Sequence, residues 1–346
     1  MPAPQDTDVD ITSIGGAAFD VFVRAPHDTV SENRGRFIQF PLGAKIKIEN
    51  VVQCCGGGAT NTSVGFSRLQ LHSRFCGVIG DDEWGRSIQE TLKAECVSSD
   101  TAIIVEGEIS SFSIILVDTA TGERTILYSA NVNSHLGKPV LPKEKLRRSR
   151  WIFLNHLSDV SSVIMEDLCD LVCDGNVKLA WNPGGSQIRN GCDAPLEKQV
   201  LASTDVLFLN AEEAMLFMRT TSIHDALQSG IATGVKLMCI TDGPRGAFVS
   251  DGKSALFARP LPDISVIDTT GAGDAFAVGF TWAVLRNLPL QTALKAGMIN
   301  AESVIGAIGT QAGLLTENEL RSRLASIDLP ITASPLSFST SPYSHQ

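Results

Sequence analysis

The sequence predicts an α/β fold in which a mostly parallel central sheet is covered by helices on both faces and carries a smaller β-sheet. The first observation is the alternation of short apolar runs with helical patterns across residues 151–241, which is typical of parallel strands joined by helices. The second is the loss of helical periodicity in residues 21–52 and 109–130, where short alternating runs indicate a separate small sheet. A chain of 346 residues accommodates one large domain with such an appendage.

The N-terminal half supplies the first central strand and the small sheet. Residues 1–8 are polar and expected to be flexible, and residues 11–18 predict a buried strand with Asp20 at its end. Open α/β sheets place ligands at such strand ends, although a cap or turn is the alternative role for this carboxylate. The small sheet is predicted from runs at residues 36–40, 45–51, 111–117 and 124–128, with hairpin-turn composition at residues 118–122. A helix, a strand and a helix are expected at residues 65–71, 74–80 and 84–95.

The second half is predicted to complete the central sheet and its helical cover. Strands are expected at residues 151–154, 177–181, 206–209 and 236–241, with an antiparallel hairpin at residues 247–250 and 254–258. Helices are expected at residues 161–173, 196–202, 211–218, 223–233, 274–285, 290–304 and 317–325. Residues 328–346 are rich in Ser and Pro and are expected to be disordered. We therefore predict one folded unit over residues 9–327.

The composition argues against several classes of partner. The net charge is −10, so a nucleic-acid or anionic-membrane surface would need a strong local basic patch. The densest basic run, residues 143–150, reads as a solvated helix face or a loop. No apolar run approaches the roughly 20 residues that span a bilayer. Eight cysteines without C-x-x-C spacing or a signal peptide indicate reduced thiols in a cytoplasmic protein, and neither a nucleic-acid nor a membrane partner is expected.

The strongest local motif is D-T-T-G-A-G-D-A-F at residues 268–276, a glycine turn that runs into an apolar helix. Gly271 and Gly273, with Ala272 between them, allow a tight turn whose N–H groups lie at the positive end of that helix. Such a turn is suited to binding an anion. Asp274, just inside the helix, is placed to accept a proton from a hydroxyl that attacks a phosphate. The plainer alternative is a glycine turn followed by a helix-favouring Asp.

Four motifs, in order along the chain, carry a family resemblance: G-G-G-A-T-N at residues 56–61, N-A-E-E at 210–213, T-D-G-P-R-G at 241–246 and D-T-T-G-A-G-D at 268–274. Together they resemble the PfkB/ribokinase family of small-molecule kinases over roughly residues 10–325. The resemblance implies a ribokinase-like three-layer α/β/α domain in which residues 21–52 and 109–130 form a β-sheet lid over the acceptor. It also implies ATP and Mg²⁺ as cofactors, with Asp274 as the catalytic base.

The resemblance assigns nucleotide and metal roles to residues that also have ordinary structural explanations. Glu213 is implied to bind Mg²⁺ through water, although N-A-E-E alone would be interpreted as a helix N-cap. Asp268 and Thr270 resemble the monovalent-cation site, for K⁺, of many members. The implied ATP-binding residues are Asn182, Asn210, Thr241, Gly243, Gly246 and Asn300. For residues 241–246 the alternative is a plain β-turn.

Acceptor-binding roles are implied for two groups of residues, Asp20, Gly57, Gly58 and Asn61 in the first group and Asn155 and His156 in the second. The glycines allow close approach of a polyol, and an Asn offers both a donor and an acceptor. Two positions depart from ribokinase itself, because Gly58 stands where Lys is common and Ala18 stands where ribokinase has Asn. Asn155 or His156 would replace an acceptor-binding Glu of ribokinase. These departures disfavour strict ribokinase identity and a phosphosugar acceptor.

The motifs lead to one main hypothesis and two alternatives. The main hypothesis is an ATP-dependent kinase that phosphorylates a hydroxymethyl group of a small neutral sugar, as ribokinase and fructokinase do. A nucleoside kinase is favoured instead if the lid and residues 155–156 form an apolar slot for a base. The alternative of another class is a non-catalytic sensor of a sugar or nucleotide, which the presence of Gly271, Gly273 and Asp274 disfavours. An exposed lid sheet has an apolar face to cover, which points to a homodimer through the lid.

Overall fold

The computed structural model describes residues 9–24, 28–32, 35–117, 124–137, 141–262 and 264–335. The strands are β1 (Val9–Ile14), β2 (Ala18–Arg24), β3 (Asp28–Glu32), β4 (Gly35–Gln39), β5 (Asn50–Gly56), β6 (Ser73–Cys76), β7 (Val78–Gly80), β8 (Ile103–Val105), β9 (Phe112–Val117), β10 (Arg124–Ser129), β11 (Ser149–Leu154), β12 (Lys178–Trp181), β13 (Val206–Asn210), β14 (Leu237–Thr241), β15 (Ala247–Ser250), β16 (Ser254–Ala258) and β17 (Ile331–Pro335). The α-helices are α1 (Gly58–Arg68), α2 (Glu83–Ala94), α3 (Lys143–Leu146), α4 (Met165–Val172), α5 (Gly185–Asn190), α6 (Pro195–Ala202), α7 (Ala211–Met218), α8 (Ile223–Ala232), α9 (Ala272–Leu285), α10 (Leu290–Ile305) and α11 (Glu317–Ser326). Among these helices, none has the length and apolar character needed to cross a bilayer.

Nine strands form the central sheet, in the order β17-β16-β15-β14-β13-β12-β11-β1-β6. The strands from β6 to β14 run parallel, and β15 to β17 form an antiparallel edge. Alternate side chains reach opposite faces, so that Leu207 and Leu209 of β13 pack on one face and Val206 and Phe208 on the other. Helices α4, α6, α7 and α8 cover the first face, and α1, α9, α10 and α11 cover the second. The predicted three-layer fold with a mostly parallel sheet is confirmed.

A second sheet of four strands, β10-β9-β2-β5, corresponds to the predicted lid and is called the lid below. The run expected at residues 36–40 is not part of it, because β4 pairs with β3 in a separate two-stranded sheet. The inner face of the lid carries Phe22, Ile115 and Val117, which pack with Ile308 from the loop after α10. The lid therefore lies directly over the end of the central sheet where the glycine motif begins. The expected strand at residues 45–51 is wrong, because β5 starts at Asn50 and runs into the first glycine motif, and no strand is found between residues 40 and 49.

The first central strand is shorter than expected. β1 ends at Ile14, and the chain turns at Gly15, whose φ of 144° favours glycine. The next strand, β2, starts at Ala18 and belongs to the lid, so the predicted strand over residues 11–18 is two different elements. Asp20 consequently lies within a lid strand and not at the carboxyl end of the central strand.

The C-terminal segment is partly ordered, contrary to the expectation that disorder begins at residue 328. Ile331–Pro335 forms β17, which pairs with β16 from Ile331 opposite Ala258 to Pro335 opposite Ser254. Covering the open edge of β16 accounts for this order, and a proline is tolerated on the outermost strand. The predicted disorder of residues 336–346, the flexibility of residues 1–8 and the hairpin turn at residues 118–122 fall outside the described residues.

Candidate active site

The glycine motif forms the start of α9. Gly271 is the N-cap and has a φ of 81°, so the backbone turns in the left-handed region that glycine adopts readily. A Cβ on Gly271 would lie 3.0 Å from the Cβ of Thr310, whereas a Cβ on Gly273 would meet nothing within 4 Å. The turn of Gly271, Ala272 and Gly273 is thus packed against Thr310 at Gly271, and it has open space next to Gly273. The backbone N–H groups of this turn lie at the positive end of a 14-residue helix, which suits an anion.

Asp274 occupies the first turn of α9 and is held by one neighbour. Its Oδ2 accepts a hydrogen bond of 2.8 Å from Nδ2 of Asn61 on α1. Burial raises the pKa of Asp274 to about 6, and the hydrogen bond from Asn61 opposes that shift. A carboxylate with this pKa is ionised at neutral pH and is still able to accept a proton. These are the properties of a general base.

Asn61, predicted to bind the acceptor, is occupied by protein contacts. It is 3% exposed, and its Oδ1 accepts hydrogen bonds from Oγ1 of Thr310 at 2.9 Å and Nε2 of Gln311 at 3.1 Å. The structure therefore places Asn61 behind Asp274. Sequence reasoning missed Thr310 and Gln311, since they lie 249 and 250 residues away from Asn61 in the chain.

Asp20 forms a second carboxylate of the site from the lid. Its side chain is 5% exposed. Burial raises its pKa to about 6, a hydrogen bond from Ser113 opposes the shift, and the charges of Asp268 and Asp274 reinforce it. Asp20, Asp268 and Asp274 are thus three carboxylates whose charges act on one another. Gly56 is required here, because a Cβ on it would lie 2.6 Å from Cγ of Asp20 and closer still to Oδ2.

A cavity of about 460 Å³ lies between the lid and the central sheet. It is lined by Gly15, Gly16, Ala18, Gly58, the lid residues 111–113 and 128–130, and residues 133, 136, 156–159, 185 and 189. His156 is one of the wall residues, and desolvation lowers its pKa. Gly57, with a φ of 92°, packs beneath the cavity floor, since a Cβ there would lie 2.6 Å from the Gly16 carbonyl oxygen. Of the predicted acceptor residues, Gly58 and His156 line this cavity.

Asn155 explains why Gly58 stands where related enzymes often have Lys. Asn155 is 2% exposed, and its Nδ2 donates to the Ile14 carbonyl and to Oγ1 of Thr62. Its Oδ1 has no hydrogen-bond partner among the described residues. A Cβ on Gly58 would approach that oxygen to 2.9 Å, so a lysine would require Asn155 to move.

The predicted nucleotide residues lie along one edge of the central sheet. Asn182 follows β12, Asn210 ends β13 and Thr241 ends β14, and Asn210 is paired with Thr241 in the register. Asn182 Nδ2 also donates to the Phe208 carbonyl at 2.9 Å. Gly243 and Gly246 follow with φ values of 51° and 121°. These five residues thus lie at or just after the carboxyl ends of neighbouring strands. Open α/β sheets bind their ligands at this edge.

Asn210 and Glu213 form a reciprocal helix cap at the start of α7. The backbone N–H of Asn210 donates to Glu213 Oε2 at 3.0 Å, and Asn210 Oδ1 accepts from the Glu213 N–H at 2.8 Å. The helix N-cap that N-A-E-E alone would predict is therefore present. Burial raises the pKa of Glu213. A carboxylate at this position could bind Mg²⁺ through water, while the phosphates of the substrate would bind the same ion directly.

Asp268 and Thr270 close a tight turn before the anion site. Asp268 is 1% exposed, and its Oδ1 accepts hydrogen bonds from the Thr270 N–H at 2.9 Å and from Thr270 Oγ1 at 2.6 Å. Its Oδ2 accepts from the Gly309 N–H at 3.3 Å. Within the described ranges there is no cluster of three or more His, Cys, Asp or Glu side chains that could hold a metal ion. The carboxylate is already satisfied by the protein, so a cation there would add to this turn and would not be needed to build it.

Asn300, predicted to lie near the nucleotide, is a core residue. It is 1% exposed, its Nδ2 donates to the Ala275 carbonyl at 2.7 Å, and its Oδ1 accepts from the Leu315 N–H at 3.1 Å. Both ends of the amide are used to join α9, α10 and the following loop. The structure does not bring Asn300 to the nucleotide edge.

We expect Asn300→Leu to lower stability without weakening nucleotide binding. The substitution would leave the buried Leu315 N–H without its acceptor and remove the second hydrogen bond to the Ala275 carbonyl, at a cost of about 1 to 3 kcal/mol in the free energy of unfolding. Thermal or denaturant unfolding and calorimetric titration with ATP measure the two effects. If the variant remains folded and its ATP affinity falls more than tenfold, this prediction is contradicted and Asn300 contributes to nucleotide binding.

Arg124 is a candidate functional residue that sequence reasoning missed. It begins β10 of the lid, and its guanidinium hydrogen-bonds to Oγ1 of Thr269 in the glycine motif. Its Nε is buried and has no hydrogen-bond partner in the part of the chain that the structure describes. The signal available in the sequence was a single basic residue at the start of a lid strand that carries no other charge. Arg124 brings a positive charge from the lid to the anion site.

Comparison with known proteins identifies the family. The pfkB family of carbohydrate kinases matches residues 31–317. An uncharacterized sugar kinase from Archaeoglobus fulgidus is 27% identical over 252 residues, 72% of this chain and 98% of its own length. Ribokinase from Bacillus subtilis is 25% identical over 281 residues, 78% of this chain and 87% of its own.

A solved structure shows the same fold. Arabidopsis thaliana ribokinase, crystallised with ribose and ATP, superposes with a TM-score of 0.75 at 19% identity, covering 92% of this chain and 99% of its own. The predicted ribokinase-like fold is confirmed by this likeness, and the predicted family by the match over most of the chain. The chain is therefore a member of the pfkB family of carbohydrate kinases, enzymes that use ATP.

Proposed function

We propose that this kinase transfers the γ-phosphoryl group of ATP to a hydroxymethyl group of a small neutral sugar, with Asp274 as general base. The observation that carries the proposal is the placement of Asp274 at the N-terminus of α9, beside the Gly271 to Gly273 turn and with a pKa of about 6. Base and anion site lie within one helical turn. Negative charge that develops on the phosphate would meet backbone N–H groups while the nucleophile loses its proton nearby.

The nucleotide and the metal ions are assigned to residues at the strand ends and at the turn before α9. Nucleotide would bind along the edge marked by Asn182, Asn210 and Thr241, with Gly243 and Gly246 allowing close approach. Mg²⁺ would neutralise phosphate charge and reach Glu213 through water. K⁺ is proposed beside Asp268 and Thr270, where it would support the turn that carries the anion site. ATP is the family's phosphoryl donor, and both metal ions remain proposals for this chain.

The acceptor would occupy the cavity beneath the lid. Asp20 is proposed to accept hydrogen bonds from acceptor hydroxyls, because its carboxylate is buried and lies near the charge of Asp274. Lid closure would exclude water from the phosphate. The contact between Arg124 and Thr269 supports a closed arrangement in which a lid cation reaches the anion site.

We expect the acceptor kcat/KM to fall as the pH drops below about 6, the pKa to which burial raises both Asp20 and Asp274. Asp274 must be ionised to take the proton, and protonated Asp20 is a weaker acceptor of hydroxyl hydrogen bonds. Activity is therefore retained above this pKa and lost below it. Because two groups titrate, the fall should be steeper than that of one ionisation. A profile that stays flat down to pH 4.5 would contradict both assignments.

A nucleoside acceptor is the second candidate, and apolar side chains in the wall of the cavity favour it. Tyr128 of the lid, together with Leu136 and Leu157, offers apolar surface at its wall. A base could stack there while its ribose reaches Asp20.

A panel of pentoses, hexoses and nucleosides with coupled detection of ADP tests the proposal. Turnover of a free sugar well above every nucleoside supports the main proposal, and the reverse order supports the second candidate. Thermal stabilisation by a ligand without ADP formation from any acceptor would indicate a non-catalytic sensor. ATP hydrolysis without acceptor as fast as turnover with the best acceptor would contradict the gating role of the lid.

We also propose a homodimer through the outer face of the lid. The strand registers place Val23, Ile114, Leu116 and Leu127 on this face, next to Val21, which packs on the cluster that contains Phe19. Leu127 is 53% exposed, and its neighbours are only partly covered. Burying this face against a second copy would remove apolar surface from water. Analytical ultracentrifugation of the wild type and of Leu127→Asp measures the mass; an unchanged mass in the variant would contradict this interface.

A further inference from the structure

The orientation of the Asn61 amide is fixed by the loop that follows α10. Two donors, Thr310 Oγ1 and Gln311 Nε2, point at its Oδ1 at 2.9 and 3.1 Å. In a flipped amide the NH₂ group would face Gln311 Nε2, which is itself a donor, and Thr310 Oγ1 would have to turn its proton to the Cys55 carbonyl at 3.3 Å. The amide oxygen would then face the Asp274 carboxylate. The orientation that satisfies all of these groups directs the NH₂ group to Asp274, to whose Oδ2 it donates at 2.8 Å.

The same loop is held rigidly to the rest of the site. Arg68 donates from Nη1 to the carbonyls of Gln311 at 2.7 Å and Leu314 at 3.1 Å, and it forms an ion pair of 2.6 Å with Glu95. Thr310 and Gln311 are 3% and 7% exposed. Thr310 also packs on Gly271, so one anchored loop contacts both the anion site and the amide behind the base.

We propose that Thr310 and Gln311 are positioning residues that act through Asn61, holding its amide so that it orients the Asp274 carboxylate toward the acceptor hydroxyl. This rests on the proposed role of Asp274 as general base. A free Asn61 amide could present its oxygen to the carboxylate, and that contact is repulsive. Two donors from the loop exclude this arrangement, and the carboxylate is then kept in one rotamer in its ionised form.

The hydrogen bond from Asn61 also lowers the pKa of Asp274 against the effect of burial. The other charged or titratable groups near the site are Asp20 on β2, Asp268 before α9, Arg124 on β10 and Cys54 on β5. None of these groups is substituted in the variants at residues 310 and 311, and only Cys54 is in contact with either position, through the Thr310 backbone. A change in the titration of Asp274 in such variants therefore reports on Asn61.

The experiment uses Gln311→Leu and Thr310→Val, with Thr310→Ser as the conservative variant and Gln89→Leu as a matched control. Gln89 is a half-buried glutamine of α2 whose amide, among the described residues, bonds to the Gly85 carbonyl of its own helix. In Gln311→Leu and Thr310→Val we expect kcat to fall roughly three- to tenfold and the acid limb of its pH profile to rise by about half a pH unit. KM for ATP should change less than twofold. Thr310→Ser and Gln89→Leu should match the wild type.

A second measurement keeps the proposal testable if no acceptor is turned over. The ¹³Cγ signal of Asp274, identified by its absence in Asp274→Asn, gives the midpoint of its titration in the folded protein. We expect this midpoint to rise in Gln311→Leu and Thr310→Val. An unchanged midpoint and an unchanged acid limb would overturn the proposal, whereas absent turnover with a shifted midpoint would overturn only the proposed function. The double variant Asn61→Ala/Gln311→Leu gives a third test. If Gln311 acts through Asn61, adding Gln311→Leu to Asn61→Ala should lower kcat almost no further. If it lowers kcat by as much as it does in the wild type, the proposal is overturned.

Discussion

Asp274→Asn should lower kcat by roughly 10² to 10⁴ while ATP binding is kept or slightly strengthened. The amide has nearly the same shape as the carboxylate and is still able to contact Asn61, but it cannot take a proton from the acceptor. It also removes a negative charge from beside the site where phosphate would bind. Steady-state kinetics and calorimetric titration with ATP measure the two effects separately.

Stability provides a second readout for the same variant. Because burial raises the pKa of Asp274 to about 6, the folded state binds a proton more readily than the unfolded chain. The ionised form therefore costs stability above this pKa, and the cost disappears at low pH. We expect Asp274→Asn to raise Tm at pH 8 and to leave it unchanged near pH 4.

Asp225→Asn is the matched control, because Asp225 occupies the first turn of α8 as Asp274 does in α9. A carboxylate that serves only the helix dipole would behave alike at both positions, with a small loss of stability and normal turnover. Near-normal kcat in Asp274→Asn would remove this residue from the mechanism.

The parts of the fold that follow from local sequence pattern were predicted correctly. The strands β11 to β14 alternate with helices in the sequence, and each strand is an apolar run of four to six residues. The turn at Gly271 also follows from local chemistry, since a positive φ before a helix selects glycine. Each of these features is decided by residues close to one another in the chain.

The errors arise where tertiary contacts decide the outcome. The turn at Gly15 divides one apolar run between two sheets, and nothing in the run itself distinguishes its two halves. Asn300 hydrogen-bonds to two backbone groups, one in α9 and one in the loop before α11. In the sequence alone, an Asn with this structural role cannot be distinguished from an Asn that binds a ligand. β17 is ordered because β16 offers an open edge, although its own composition resembles a disordered tail. The pairing of Asn61 with Thr310 requires contact between distant segments.

Gly56→Ala should weaken acceptor use by roughly 10- to 150-fold in kcat/KM, the loss expected when a charge-assisted hydrogen bond worth about 1.5 to 3 kcal/mol is removed. The added Cβ would lie 2.6 Å from Cγ of Asp20, so the carboxylate must leave its present position. Asp20 is 5% exposed and its carboxylate is hydrogen-bonded by Ser113, so it has little room to move without losing its orientation. ATP affinity should not change, because the nucleotide edge lies on the opposite side of the site.

Asp20→Asn should produce a similar loss of acceptor kcat/KM through the opposite physical change. It keeps the shape of the side chain and removes the charge whose burial raises the pKa of Asp20 to about 6, so Tm at pH 8 should rise. Gly56→Ala should lower Tm, since overpacking a buried site typically costs about 1 to 3 kcal/mol. Gly306→Ala is the control, because its Cβ would meet nothing closer than 3.5 Å. If both variants lost stability while the acceptor KM and kcat stayed normal, Asp20 would be a structural residue of the lid, and the acceptor would have to be held by other groups of the cavity.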